Sequence, residues 1–86
     1  MAEGKWKRVG KVAHYYTRIG VAIVDLSSNL GLGDTISIVG ANTDFSQTVD
    51  SMQIEHKAVT KAKKGDSIGL KVSDRCRKGD KVFKLS

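Results

Sequence analysis

Apolar side chains recur at every second position in three stretches: Thr35-Ile36-Ser37-Ile38-Val39, Ser67-Ile68-Gly69-Leu70-Lys71-Val72 and Lys81-Val82-Phe83-Lys84-Leu85. A period of two marks a strand with one face on a core. Each stretch directly follows a Gly-Asp dipeptide, Gly33-Asp34, Gly65-Asp66 or Gly79-Asp80. Glycine tolerates the positive φ of a tight turn, and aspartate bonds backbone amides as the chain leaves it. Three turn-to-strand entries are thereby marked. Convergence of Asp34, Asp66 and Asp80 on a metal is the alternative, but shared turn chemistry accounts for all three without a ligand.

Further strands are predicted from Arg8 to Tyr16, from Gly20 to Leu26 and from Phe45 to Ile54. In the second, Ala22, Val24 and Leu26 share one face while Val21 and Ile23 share the other. In the third, Phe45, Val49 and Ile54 hold parity only if a bulge intervenes near Asp50 and Ser51. His56 to Lys64 is the one segment where a helical turn is plausible. Ser27 to Leu32 reads as a loop whose Leu30 and Leu32 plug one end of the fold. Six strands, almost no helix and glycine-marked turns predict an all-β fold, a small closed or nearly closed six-stranded β-barrel.

The length of 86 residues allows one domain, residues 1–86, with 1–7 as a basic arm ahead of the barrel. A chain of this size has no room for a multidomain enzyme. Its longest apolar run, Ile19 to Val24, is far too short to span a bilayer, so no membrane role is expected. No apolar stretch follows the N-terminal charges, so no signal peptide is read, and the cytoplasm is the default compartment. The lone Cys76 cannot form an internal disulfide.

The net charge of +6 is unevenly spread: +4 over residues 1–24, −5 between Asp25 and His56, and +7 over residues 57–86. If the chain ends meet, the molecule has a basic side and an acidic side. Lys5-Trp6-Lys7-Arg8 and Tyr16 with Arg18 place aromatic rings among cations at the two ends of one predicted strand. Lysines 57, 61, 63 and 64 form a second basic cluster. Cations with exposed rings suit single-stranded nucleic acid, phosphates on Lys/Arg and bases stacked on the rings. The competing role for the rings is to fill a small core, and for the lysines to solvate a loop.

Catalytic patterns are sparse. His14 and His56 have no second ligand at metal-binding spacing, no Gly-x-Ser-x-Gly elbow occurs, and Gly31-Leu32-Gly33 lacks a dinucleotide fingerprint. Cys76, between Arg75 and Arg77, would have a stabilised thiolate if it were exposed. No metal or cofactor is called for.

The run Val9-Gly10-Lys11-Val12, Gly20-Val21-Ala22-Ile23-Val24, Leu30-Gly31-Leu32-Gly33-Asp34-Thr35-Ile36 resembles the second domain of translational GTPases of the elongation factor Tu type. Thr48-Val49-Asp50-Ser51-Met52-Gln53-Ile54, Ala62-Lys63-Lys64-Gly65-Asp66-Ser67-Ile68-Gly69-Leu70 and Arg77-Lys78-Gly79-Asp80-Lys81-Val82 extend that order. The same order resembles the C-terminal barrel of collagenase-like, uridine-modifying peptidases. No phosphate loop or guanine-reading motif is present, so GTPase activity does not carry over. What the resemblance implies is a barrel scaffold associated with translation or RNA modification.

The sequence therefore leads to the expectation of a non-enzymatic module. It would engage RNA (tRNA or ribosomal) or a ribonucleoprotein through Lys5, Trp6, Lys7, Arg8, Tyr16, Arg18, Lys57, Lys61 and Lys64. The alternative is a domain that recognises a protein partner or associates with itself.

Overall fold

In the computed structural model, which describes residues 5–85, each Gly-Asp dipeptide closes a four-residue turn built in the same way. The aspartate N–H donates to the carbonyl three residues back: Asp34 to Gly31 (3.2 Å), Asp66 to Lys63 (3.0 Å) and Asp80 to Arg77 (3.0 Å). The aspartate Oδ2 accepts the N–H of that same residue at 2.8, 2.9 and 2.8 Å. Gly33, Gly65 and Gly79 sit at φ 89°, 92° and 94°, which makes all three type II turns, where an L side chain would be strained.

Each turn also grips one residue of another segment by both its backbone groups. Gly33 N–H donates to Val49 O while Val49 N–H donates to Asp34 O; Gly65 and Asp66 hold Leu26, and Gly79 and Asp80 hold Val12, all at 2.8–2.9 Å. Val12, Leu26 and Val49 are buried. The chain thus repeats one device three times: a turn satisfies the backbone of a residue whose side chain enters the core.

Ten strands result among the described residues: β1 (Trp6–Tyr16), β2 (Val21–Leu26), β3 (Leu30–Gly31), β4 (Thr35–Gly40), β5 (Thr43–Thr48), β6 (Met52–Ile54), β7 (Lys57–Val59), β8 (Lys61–Ala62), β9 (Ser67–Lys71) and β10 (Lys81–Leu85). The three turns lead into β4, β9 and β10, which pair antiparallel with β5, β2 and β1. Eight strands form one sheet in the order β5-β4-β10-β1-β2-β9-β6-β7, and β3 pairs with β8 in a separate two-stranded ribbon. The core is aliphatic, with Val9, Val12, Val24, Ile36, Ile38, Ile68, Leu70 and Val82 fully buried.

The all-β class holds, and the described residues contain no helix, hence none long and apolar enough to cross a membrane. The number of strands and the closure differ from expectation. The sheet is not closed into a barrel: its edges, β5 and β7, are not paired to each other. In place of a ladder, one side chain ties β5 to the end of β9. Gln47 donates from Nε2 to Lys71 O (2.8 Å) and accepts from Ser73 N at Oε1 (2.6 Å), so its amide stands in for a peptide group.

Three local expectations are also corrected. Phe45 to Ile54 is not one bulged strand; the grip of the first turn on Val49 ends β5, and β6 pairs with β9 instead. His56 to Lys64 forms β7 and β8, because pairing with β6 and β3 outweighs the helix preference of its Lys and Ala residues. Within the expected loop Ser27 to Leu32, Leu30 is buried in β3 while Leu32 is 43% exposed. Of the expected basic arm, Trp6 and Lys7 open β1 against Leu85 and Lys84, and residues 1–4 lie outside the described residues.

Candidate functional site

The register of β10 separates the molecule into two ends. Lys81 pairs with Lys11 and Val39, close to the third turn, whereas Lys84 pairs with Lys7 and Ile36, close to the start of β4 and the first turn. The first and second turns lie side by side at this latter end, because the ribbon joins Leu30 to Ala62 and Gly31 to Lys61, and Leu32 N–H donates to Thr60 O (2.9 Å).

Between the ribbon and the end of β10 lies an open depression of about 530 Å³. Leu30 and Ala62 form its apolar base, and the exposed Leu32 extends it. Its charges are Lys61, Lys63 and Lys84 against Asp34 and Asp66. Both carboxylates already accept an amide of their own turn through Oδ2. Lys84 is half-buried, and its Nζ donates to Asn29 O at 3.0 Å, fixing the ammonium at the rim. Apolar ground with a few placed charges, within the roughly 300–1,000 Å³ of ligand clefts, is the usual composition of a binding site.

The residues singled out from sequence divide between the two ends. Lys61 lines the depression, and the exposed Lys64 occupies the second turn beside it. Lys5, Trp6, Lys7 and Arg8 lie at or before the start of β1, at the same end, with Lys7 directly across from Lys84. Tyr16 and Arg18 lie about ten residues further along, at the hairpin into β2, which at about 3.3 Å per residue is the far end of a molecule 33 Å long. There the Tyr16 ring meets His14 edge to face, with centroids 4.4 Å apart. Lys57 is exposed on the edge strand β7. The structure therefore separates Tyr16 and Arg18 from Lys5, Trp6, Lys7, Arg8, Lys61 and Lys64. Lys84, Asn29 and Thr60 were not distinguishable in the sequence, since only the register of β10 and the ribbon brings them to the site.

The third turn belongs to the opposite end and to the interior. Asp80 is 7% exposed, and a Cβ on Gly40 would fall on its carboxylate. Cys76 is buried nearby, so its thiol is pushed up from 9.0 to about 11, first by desolvation and then by the Asp80 charge. That overturns the reading of a thiolate stabilised by Arg75 and Arg77, both of which are exposed. Nor do the three aspartates converge, and no group of three His, Cys, Asp or Glu able to hold a metal occurs among the described residues.

Known proteins now bear on this geometry. No protein-family model matches the chain. It is 42% identical over 78 residues to a protein of Methanocaldococcus jannaschii named an uncharacterised protease, covering 90% of this chain and 19% of that protein. It is 37% identical over 79 residues to a collagenase of Porphyromonas gingivalis, covering 90% of this chain and 22% of that protein. The chain thus spans about a fifth of the length of the curated relatives it matches.

Among solved structures, two crystal structures of the C-terminal domain described as that of a U32 peptidase from Geobacillus thermoleovorans share the fold. Their TM-scores are 0.84 and 0.85 at 19% and 20% identity, over 88% and 91% of this chain and 96% and 91% of theirs. The chain resembles the C-terminal domain of U32, collagenase-like peptidases. Of the two resemblances drawn from sequence this is the one shown; that to elongation factor Tu is not. The expectation of an RNA-engaging translation module is overturned with it, because the relatives aligned along nine-tenths of the chain are named as a protease and a collagenase.

Proposed function

We propose that this chain is an accessory, non-catalytic domain of a collagenase-like peptidase system, and that it holds polypeptide for a catalytic unit that lies elsewhere. The observation that carries this reading is the alignment itself: almost all of this chain corresponds to about a fifth of proteins named as a protease and a collagenase. The fold supplies the second support. Its one cysteine is a buried thiol held in the protonated form, and its aspartates at the turns are engaged by backbone amides. The depression, by contrast, offers apolar ground and ammonium groups at the surface, which suits binding without bond cleavage.

The test pairs binding with turnover. The 86-residue chain is expected to retain denatured collagen on a column without cleaving it. Added to a collagenase-like peptidase from which the matching segment has been deleted, it should restore part of the lost polypeptide hydrolysis. Cleavage by the purified chain alone, abolished by no contaminant control, would refute an accessory role, as would failure both to bind and to restore.

A further inference from the structure

We infer that the depression between the β3–β8 ribbon and the end of β10 is a carboxylate site: it takes a polypeptide carboxylate, chain-terminal or on a side chain, with the adjoining aliphatic group resting on Leu30, Leu32 and Ala62. The inference rests on the accessory, polypeptide-holding reading above and names the chemistry of its site.

Three ammonium groups, of Lys61, Lys63 and Lys84, face two carboxylates there, and those carboxylates are already engaged by the amides of Gly31 and Lys63. Positive charge is therefore in excess. It is reinforced from β1, where Lys7 stands directly across from Lys84 on the same face of the pair. Like charges directly opposite in a sheet oppose pairing, yet here the fold keeps them and anchors one at the rim through Asn29 O. An anion seated in the depression relieves that repulsion.

The lining also selects among anions. No aromatic side chain lines the depression, so it has no platform for stacking a base. Asp34 and Asp66 at its wall repel a polyanion that would run phosphate after phosphate past them, but they tolerate a single carboxylate beside the lysines. An aliphatic side chain next to that carboxylate covers the exposed part of Leu32. One carboxylate with one apolar neighbour is what a peptide offers and what a nucleic acid does not.

The experiment is an NMR titration of the full chain with three N-acetylated pentapeptides. One ends in a free leucine carboxylate, the second is its amide, and the third is an amide bearing Glu beside Leu. The first, the third or both should shift the amides of Gly31, Leu32, Ala62 and Lys63, which also identifies the source of the carboxylate; the second should not. Lys61→Gln with Lys63→Gln should weaken that binding about tenfold, whereas Lys78→Gln in the distant third turn should change it less than about twofold. Raising salt from roughly 50 to 500 mM should weaken it several-fold, as expected for exposed charges.

Equal binding of the amide peptide, no shift at about 5 mM peptide, or stronger shifts of the same amides by inorganic phosphate or an oligonucleotide would overturn the assignment. Denatured collagen separates the two readings. If the wild-type chain binds it and the double lysine variant binds equally well, the carboxylate site fails and the accessory reading stands. If the wild-type chain neither binds it nor restores hydrolysis to the peptidase lacking the matching segment, the accessory reading itself fails.

Discussion

The turns ending at Asp66 and Asp80 are made of the same parts, a glycine at φ 92° or 94° and an aspartate whose Oδ2 caps the amide three residues back, yet they do different work. Asp66 is half-buried on the wall of the depression between Lys61, Lys63 and Lys84. Asp80 is buried against Gly40 and raises the Cys76 thiol. Local chemistry thus decides that a strand begins at each turn, and surroundings decide whether its charge serves the interior or the surface. The first turn, ending at Asp34, sides with the second, since the ribbon places both on the depression.

Gly40→Ala attacks the buried member of the pair most directly. The new Cβ would fall on the Asp80 carboxylate, which has no solvent to retreat into. A loss of about 3 kcal/mol in denaturant unfolding is expected, the upper range for overpacking. The comparison turn offers a control: at Gly65 a Cβ meets nothing within 4 Å, so Gly65→Ala acts only through its φ of 92° and should cost about 1 kcal/mol. Similar losses at the two sites would erase the distinction between buried and surface turns.

Removing the carboxylates themselves comes next in size. Asp80→Ala leaves the Arg77 amide without its acceptor in a partly buried place and should cost about 2 kcal/mol. Asp66→Ala uncovers the Lys63 amide where water can reach it and should cost less than about 1 kcal/mol. The second variant also strips negative charge from the depression, so the carboxylate peptide should bind it more tightly than wild type. Equal stability losses would show that the two aspartates share one role.

The pH dependence of Cys76 gives a third measure of the buried end. The folded thiol titrates at about 11 against 9.0 when unfolded, so the native state holds its proton more tightly. Its stabilising contribution is complete below pH 9 and is lost as pH rises from 9 towards 11, by about 1.4 kcal/mol at pH 10. Unfolding midpoints of wild type and Cys76→Ala, followed from pH 7 to 10.5, should converge as pH rises. A constant gap would mean that the thiol is accessible and unshifted.

How much of this could be read from the chain differs between the two regions. The Gly-Asp dipeptides stand where β4, β9 and β10 begin, because a type II turn needs glycine at its third position whatever surrounds it. Nothing local to Lys84 or Asn29 distinguishes them, since Lys84 reaches the depression by pairing with Lys7 and Ile36, and Asn29 through the adjoining Leu30–Ala62 pair and a hydrogen bond from Lys84, 55 positions away. The open sheet was illegible for the same reason. Whether β5 meets β7 depends on the course of the chain after Val49, and a single glutamine replaces the missing ladder. The likeness to the peptidase C-terminal domain fits the all-β class but not the closed six-stranded barrel expected with it, and neither the charge blocks nor the rings indicated the depression.

An effect of opposite sign comes from the hairpin loop that takes positive φ without glycine among the described residues. Glu55 and His56 link β6 to β7 as a two-residue hairpin loop with φ of 51° and 65°, values at which Asn-Gly is the preferred pair. Both side chains are exposed, so neither conformation is bought with packing seen elsewhere in the core. Glu55→Asn with His56→Gly removes the left-handed strain at both positions, and the added chain entropy of glycine in the unfolded state offsets part of the gain. A net stabilisation of about 1 kcal/mol is expected in thermal or denaturant unfolding. Compared with the three Gly-Asp turns, where the glycine is already present, this measures what a positive φ costs when the sequence does not provide for it. Destabilisation by the same pair would mean that Glu55 or His56 makes a compensating contact, and that this hairpin, too, owes its shape to its surroundings.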